Sequence, residues 1–276
     1  MGLAQMTILA QDRDSMGIVP HSPNIKVLRH PHMDALEESR NIFVLWPATQ
    51  LSEISDFVRV ANQRHHLRAL FVREDTDIHW LPQILVQANV KTLRNLLVHA
   101  GLDVPRRVLA AWQMGAQKEL IANAGVSRDK LFVVTCALEH LEVPFKSLSG
   151  VSGLSEADKR IFEIADDGSY IHWPNGDIHI DLETIWCAVD PERKARSERL
   201  KLAHDEKIGA AVALLRKRYG LRQSDIPGLS ERQVRRIENG ESASLDAFKH
   251  FAKAVGKKVE DYLDELANTA RQLREV

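Results

Sequence analysis

The segment SERQVRRIENG, residues 230–240, constrains this chain more than any other. It opens on Ser230, whose hydroxyl can accept the orphan N–H groups of a helix start. It closes on Asn239-Gly240, a pair that ends helices. Only Val234 and Ile237 between them are apolar, so those two face inward. Glu231, Arg232, Gln233, Arg235 and Arg236 are left for solvent or a partner.

The flanking sequence predicts companions for this helix. Ile208, Val212, Leu215 and Tyr219 recur at helical spacing over 205–219, and Gly220 stops them. LRQSDI, 221–226, reads as a short second helix ended by Pro227-Gly228. Ser244 caps a fourth helix with Leu245, Phe248, Ala252 and Val255 as its stripe and Gly256 as its stop. A fifth begins near 259 with Val259, Tyr262, Leu263 and Leu266.

Charge adds a second constraint. Residues 192–276 hold 19 Lys/Arg against 14 Asp/Glu, whereas the preceding 191 hold 18 against 24. Seven bases (Arg216, Lys217, Arg218, Arg222, Arg232, Arg235 and Arg236) fall within 216–236, against the acids Asp225 and Glu231. A net charge of −1 argues against a protein that coats nucleic acid generally. An acidic body with a small basic head suits one that touches a polyanion through one face. An α-helix fits the DNA major groove, where Arg can bond guanine and Gln can pair with adenine.

LRQSDI, GLSERQVRRIENGES and SLDAFKHFAKAVGKKVEDYL together resemble the Xre family, the lambda- and 434-repressor-like helix-turn-helix proteins. The likeness covers about 204–265 and implies a five-helix, sequence-specific reader of duplex DNA. By this resemblance Gln223 would bond a phosphate from the second helix, with Arg222 beside it. Glu231, Arg232, Gln233 and Arg236 would face the bases. Ser230, Arg235 and Asn239 would serve the helix start and the DNA backbone. Arg216 and Glu238 would form a structural ion pair. Between Ile226 and Ser230 this chain is about three residues shorter than the family pattern, so its second helix is clipped. Family members act as two-fold dimers on half-sites ~34 Å apart. A homodimer is expected here, through the helix from 259 to 273 or the N-terminal region.

Ahead of this domain the expected class is α+β, in several parts. Residues 1–24 lack periodicity and read as a flexible terminus. Residues 25–127 read as an α/β region: IKVLRH (25–30), NIFVLWP (41–47) and LRALFVRE (67–74) are strand-like, with a helix over 51–66 between the last two. Residues 78–124 read as mostly helical, through Leu93, Leu96, Leu97, Val108 and Leu109. Residues 128–190 form a small β-rich module. LFVVTCALEHLEVPF is a strand or hairpin, and turns at Asp167-Gly168 and Asn175-Gly176 separate further strands before a helix near Asp181. Part of this module, FEIADDGSYIHWPNGDIHIDLETI, resembles a small bacterial β-rich domain of unknown function that precedes Xre-type domains. PERKARSERLK (191–201) is expected to be a solvated helix or part of a linker over 191–203.

Chemistry-bearing residues elsewhere receive structural readings. His30 and His32 near Asp34, and adjacent His65-His66, have no ligand partners at useful spacing, and no HExxH or paired Cys/His motif occurs. Cys136 lies in an apolar run and is read as buried and inert, and two cysteines make no disulfide framework. Glu74, Asp75, Asp77 and His79 are read as a solvated turn. Trp46, Trp80, Trp112 and Trp173 are assigned to packing. There is no glycine-rich phosphate loop. No catalytic residue, metal or cofactor is therefore assigned, and no enzyme is expected.

No apolar run reaches the ~18 residues of a membrane span, and the first ten residues are not a signal peptide. A cytoplasmic protein is expected. Its partners are double-stranded DNA, a second copy, and a small-molecule or protein effector at the N-terminal region. Two further readings stand beside the regulator. One is an antitoxin-like or defence-system subunit that binds a protein and represses its own operon. The other is an enzyme in residues 25–125 that the DNA-binding domain targets.

Overall fold

A computed structural model describes residues 5–11, 13–77 and 79–273. The chain divides into two compact units, Met1–Val189 and Asp190–Val276. The fold is mixed α and β, with a parallel sheet and two antiparallel sheets in the first unit and helices in the second.

Five short strands begin the first unit: β1 (Met6–Ala10), β2 (Ile25–Leu28), β3 (Ile42–Pro47), β4 (Leu67–Arg73) and β5 (Leu96–His99). They are parallel and ordered β2-β1-β3-β4-β5. Helices α1 (Arg13–Gly17), α2 (Ala35–Glu38), α3 (Ser55–Gln63), α4 (Leu81–Gln87) and α5 (Asp103–Met114) connect and follow them. Alternate strand residues feed two separate cores. Leu9, Val44, Trp46, Leu70 and Val72 pack with Phe57 and Val58 of α3. Ile8, Phe43, Leu45 and Phe71 pack with Val108 and Leu109 of α5. Parallel strands covered on both faces carry apolar residues without alternation.

Two expectations fail here. The N-terminus is not a flexible tail from 5 onward: all five residues of β1 are buried, and β1 lies between β2 and β3. Residues 1–4 lie outside the described residues. Residues 78–124 are not mostly helical either, because Leu96 and Leu97 belong to β5 and Ile121–Ser127 forms a further strand.

That strand, β6 (Ile121–Ser127), starts the β-rich module with β7 (Lys130–Thr135) and β8 (His140–Pro144) in an antiparallel sheet. The expected boundary at 127/128 therefore falls inside the β6–β7 hairpin, where Val126 pairs with Leu131. A second sheet holds β9 (Glu163–Ile164), β10 (Tyr170–Trp173) and β11 (Ile178–Asp181), followed by α6 (Leu182–Val189). The two sheets share one core of Leu131, Val133, Leu141, Ile171, Trp173 and Ile185. Gly168 takes a positive φ of 79° in the expected turn. In the other turn the left-handed residue is Asp177, at φ 48°.

The second unit opens with α7 (Pro191–Arg218), a single helix of 28 residues. Residues 191–203 are thus its first half, the solvated helix of the two expected forms rather than the linker. The reason is local: Asp190 accepts N–H bonds from Glu192 and Arg193, both 3.0 Å, and Pro191 suits the first helical position. The expected second helix over 221–226 is only a 3₁₀ turn at Gln223–Asp225, so four α-helices rather than five are described in this unit, with α8 (Glu231–Glu238), α9 (Leu245–Ala254) and α10 (Val259–Gln272) following it. Val212, Leu215, Val234, Ile237, Phe251, Tyr262 and Leu266 form the core. The inner face of α9 is Ala247, Phe251 and Ala252, whereas Leu245, expected on that stripe, is 57% exposed. No helix among the described residues is long and apolar enough to cross a membrane.

Candidate nucleic-acid interface

An eight-residue helix such as α8 cannot persist alone, since isolated helices need about 12–15 residues. Caps at its two ends, buried apolar side chains and an ion pair hold it. Ser230 Oγ accepts the Gln233 N–H at 3.3 Å, and Gln233 Oε1 accepts the Ser230 N–H at 2.8 Å, closing a reciprocal cap. Val234 and Ile237 are buried in the helical core, each such side chain contributing about 1.5–3 kcal/mol. At the other end Asn239 caps and Gly240 turns the chain away at φ 89°.

The remaining hold is electrostatic. Glu238 accepts two hydrogen bonds from Arg216 of α7, at Nε and, at 3.1 Å, at Nη2. The two side chains are only 9% and 7% exposed. Arg216 Nη1 also donates to Leu221 O at 2.6 Å. The Glu238 hydrogen bonds push the Arg216 pKa above its ordinary value. Arg216 and Glu238 thus form the expected structural pair and leave the exposed face to other residues.

Gln223 joins this network. Its amide donates to Glu238 Oε2 at 2.6 Å, and the residue is half-buried. One amide N–H is therefore committed inside the protein rather than presented to a phosphate. Arg222 beside it is exposed, with its backbone N–H bonded to Asp225 at 2.6 Å.

On the outer face of α8, Glu231, Arg232, Gln233, Arg235, Arg236 and Asn239 are all exposed. They differ in readiness. Arg232 and Arg235 make no side-chain hydrogen bond or ion pair among the described residues. Arg236 is engaged in an ion pair with Glu241, across the Asn239-Gly240 turn. That hydrogen bond holds the Glu241 carboxyl below its ordinary range, with a smaller pull from the nearby Arg232 charge. Gln233 spends its carbonyl oxygen on Ser230 and keeps its amide N–H groups free to donate. Bidentate pairing with adenine needs both, so Gln233 can reach a base as a donor only while the cap holds.

Beside α8 lies a groove lined by Gly228, Gln233, Arg236, Glu241, Ser244 and His250. Ser244 caps α9 there by accepting the Ala247 N–H at 3.2 Å. The N-termini of α8 and α9 offer backbone donors to an anion. Glu241 and His250 escaped the sequence reading; Glu241 lies five residues past Arg236, a contact that exists only because Gly240 reverses the chain.

Other singled-out residues fall into structural roles. Cys136 is fully buried, and burial pushes its thiol up to about 12. Asp75 accepts from Thr49 N (3.1 Å) and Oγ1 (2.6 Å), and Asp77 from His79 N (3.0 Å), so that acidic stretch is built into turns. Trp173 is buried and donates to Lys159 O at 3.2 Å, and Trp46 is buried. Trp112 donates to Cys136 O at 2.9 Å. Trp80, assigned to packing, is 60% exposed instead. His30 and His32 meet only edge-on, with ring centroids 6.5 Å apart.

No family model, curated protein or solved structure matches this chain.

Proposed function

We propose that this chain is a sequence-specific binder of duplex DNA that regulates transcription, with α8 reading the major groove. The observation that carries the reading is the division of labour on α8. Its inner side is locked by Val234, Ile237 and the Arg216–Glu238 pair, while Arg232 and Arg235 stand exposed and unengaged. A rigid helix presenting free guanidinium groups meets the geometric need of base-edge readout. The resemblance of 204–265 to the Xre family supports the same reading, and with it a dimer on two half-sites ~34 Å apart.

Arg232 is the base-reading side chain in this scheme. Arg222 and Arg235 hold phosphates and set register. Arg236 joins them by exchanging Glu241 for DNA. The test is titration of the purified chain against random duplexes and its own upstream region at two salt concentrations. Enrichment of a palindromic site, with affinity falling steeply as salt rises, is the expected result. No enrichment at either salt would overturn the proposal.

The parallel sheet favours one role for the first unit, that of a small-molecule effector domain. In doubly wound sheets ligands bind outside the carboxyl ends of the strands, where strand order reverses. Here that point lies between β1 and β3. Native mass spectrometry of the purified chain, read for a bound small molecule, checks this role.

A further inference from the structure

The hairpin β10–β11 sets two histidines against each other. His172 and His179 are direct cross-strand partners in an antiparallel pair. They are equidistant from the Asn175-Gly176 turn and point to the same side of the sheet. That side is the outer one: Ile171, Trp173 and Ile180 alternate with them and fill the core beneath. The imidazole rings are stacked, centroids 4.2 Å apart and 9° from parallel.

A carboxylate completes the group. Asp177, in the left-handed position of the turn, places Oδ1 3.6 Å from His172 Nε2. Donor atoms of His172, Asp177 and His179 all lie within 4.8 Å of one another. His172 Nε2 is shielded from solvent and has no hydrogen-bond partner among the described residues. A shielded polar atom without a hydrogen bond is costly, and a bound cation would remove that cost. On the other flank Glu163 of β9 is registered with His172, adding negative charge to the same face.

We infer that His172, Asp177 and His179 form a site for a borderline transition-metal cation, of which Zn²⁺ is the probe of choice. Two imidazoles and one carboxylate are the ligand types such ions prefer, and hard cations such as Mg²⁺ prefer oxygen alone. Three protein donors leave a position for water. His179 is exposed on an edge strand, so its ring can turn from stacking into convergence on the ion. The ion would clip β10 to β11 across the turn.

The test uses the full chain, stripped of metal, titrated calorimetrically with ZnCl₂ at neutral pH. One site per chain is expected, with a rise in melting temperature on saturation, and no heat with MgCl₂. His179→Gln and Asp177→Asn should each weaken that site at least tenfold and abolish the zinc-dependent rise. Both positions are exposed, and Asn tolerates the positive φ at 177, so circular dichroism should be unchanged. His30→Gln and His65→Gln should leave the affinity intact. A wild-type chain without zinc uptake, or a site unmoved by both substitutions, would overturn the inference.

Discussion

Arg216 and Glu238 bind each other bidentately in a place that water barely reaches, and Gln223 donates to the same carboxylate. The pair ties the end of α7 to the end of α8. Glu238→Ala would strand a guanidinium in the interior and leave the Gln223 amide without its acceptor. Breaking a buried pair from one side costs ~3–5 kcal/mol. Denaturant unfolding should show a loss of that size, and the double variant Arg216→Met, Glu238→Leu should recover most of it. A loss below ~1 kcal/mol in the single variant would mean that the pair is not a fastening.

Gly209 offers a prediction that runs against helix propensity. It lies mid-helix in α7, where Ala is ordinarily better by about 1 kcal/mol. Yet a Cβ there would sit 2.5 Å from Ile237 O, 2.7 Å from Glu238 O and 2.7 Å from Gly240 N. These are backbone atoms at the end of α8 and cannot swing aside. Gly209→Ala should therefore lower stability, by about 1–3 kcal/mol as overpacked cores do. An unchanged or raised denaturation midpoint would show that α8 rides loosely on α7.

What could be read from the chain beforehand was what depends on near neighbours. Ser230 announces the cap and Val234 and Ile237 the inner side of α8, whereas Gln233, expected to face the bases, turns out to close the cap. β1 stayed hidden because MTILA is only five residues long and buried on both faces, so it shows no alternation. β5 stayed hidden because four residues between helical patterns carry no period of their own. The start of α7 was legible in Asp190-Pro191, a cap followed by a first-turn proline, but the charged stretch after it has no apolar stripe. Trp80 looked like core by residue type, and only the fold shows that it is not. At the candidate interface the readiness of each side chain was beyond reach. Arg236 meets Glu241, and Gln223 meets Glu238, through turns whose geometry no periodicity encodes. The turn at Asn175-Gly176 was expected, but the pairing of His172 with His179 across it was not read and comes from the strand register.

Glu265 links pH to stability in the second unit. It accepts from Lys257 Nζ at 2.6 Å and from the Tyr219 hydroxyl at 2.8 Å, joining α10 to the end of α7. The Lys257 bond foremost, then Tyr219, lowers its pKa from the ordinary 4.5. The unfolded chain then binds a proton more readily than the folded one, so stability rises with pH across this window. Its contribution is whole above the ordinary value and is lost as pH falls through the lowered folded value. Glu265→Gln should flatten that acid limb. Unfolding midpoints measured from about pH 6 down to about pH 3 decide the matter; parallel limbs in the two proteins would show that Glu265 contributes nothing to it.

On the proposed reading, Arg232 and Arg235 would separate base reading from phosphate holding on one helix. Both are exposed and unengaged, so neither substitution disturbs the fold, and a change in DNA binding reports the contact alone. Arg232→Ala should cost ~1–3 kcal/mol on the preferred duplex and relax selectivity at one base pair. Arg235→Ala should weaken all duplexes alike and reduce the slope of log affinity against log salt by ~1. Glu241→Gln frees Arg236 and removes an anion beside the groove, so it should tighten binding to every sequence. Selection from random duplexes, repeated with each variant at two salt concentrations, measures all three effects together. If Arg232→Ala kept both the preferred sequence and the affinity, α8 would not be the reading helix.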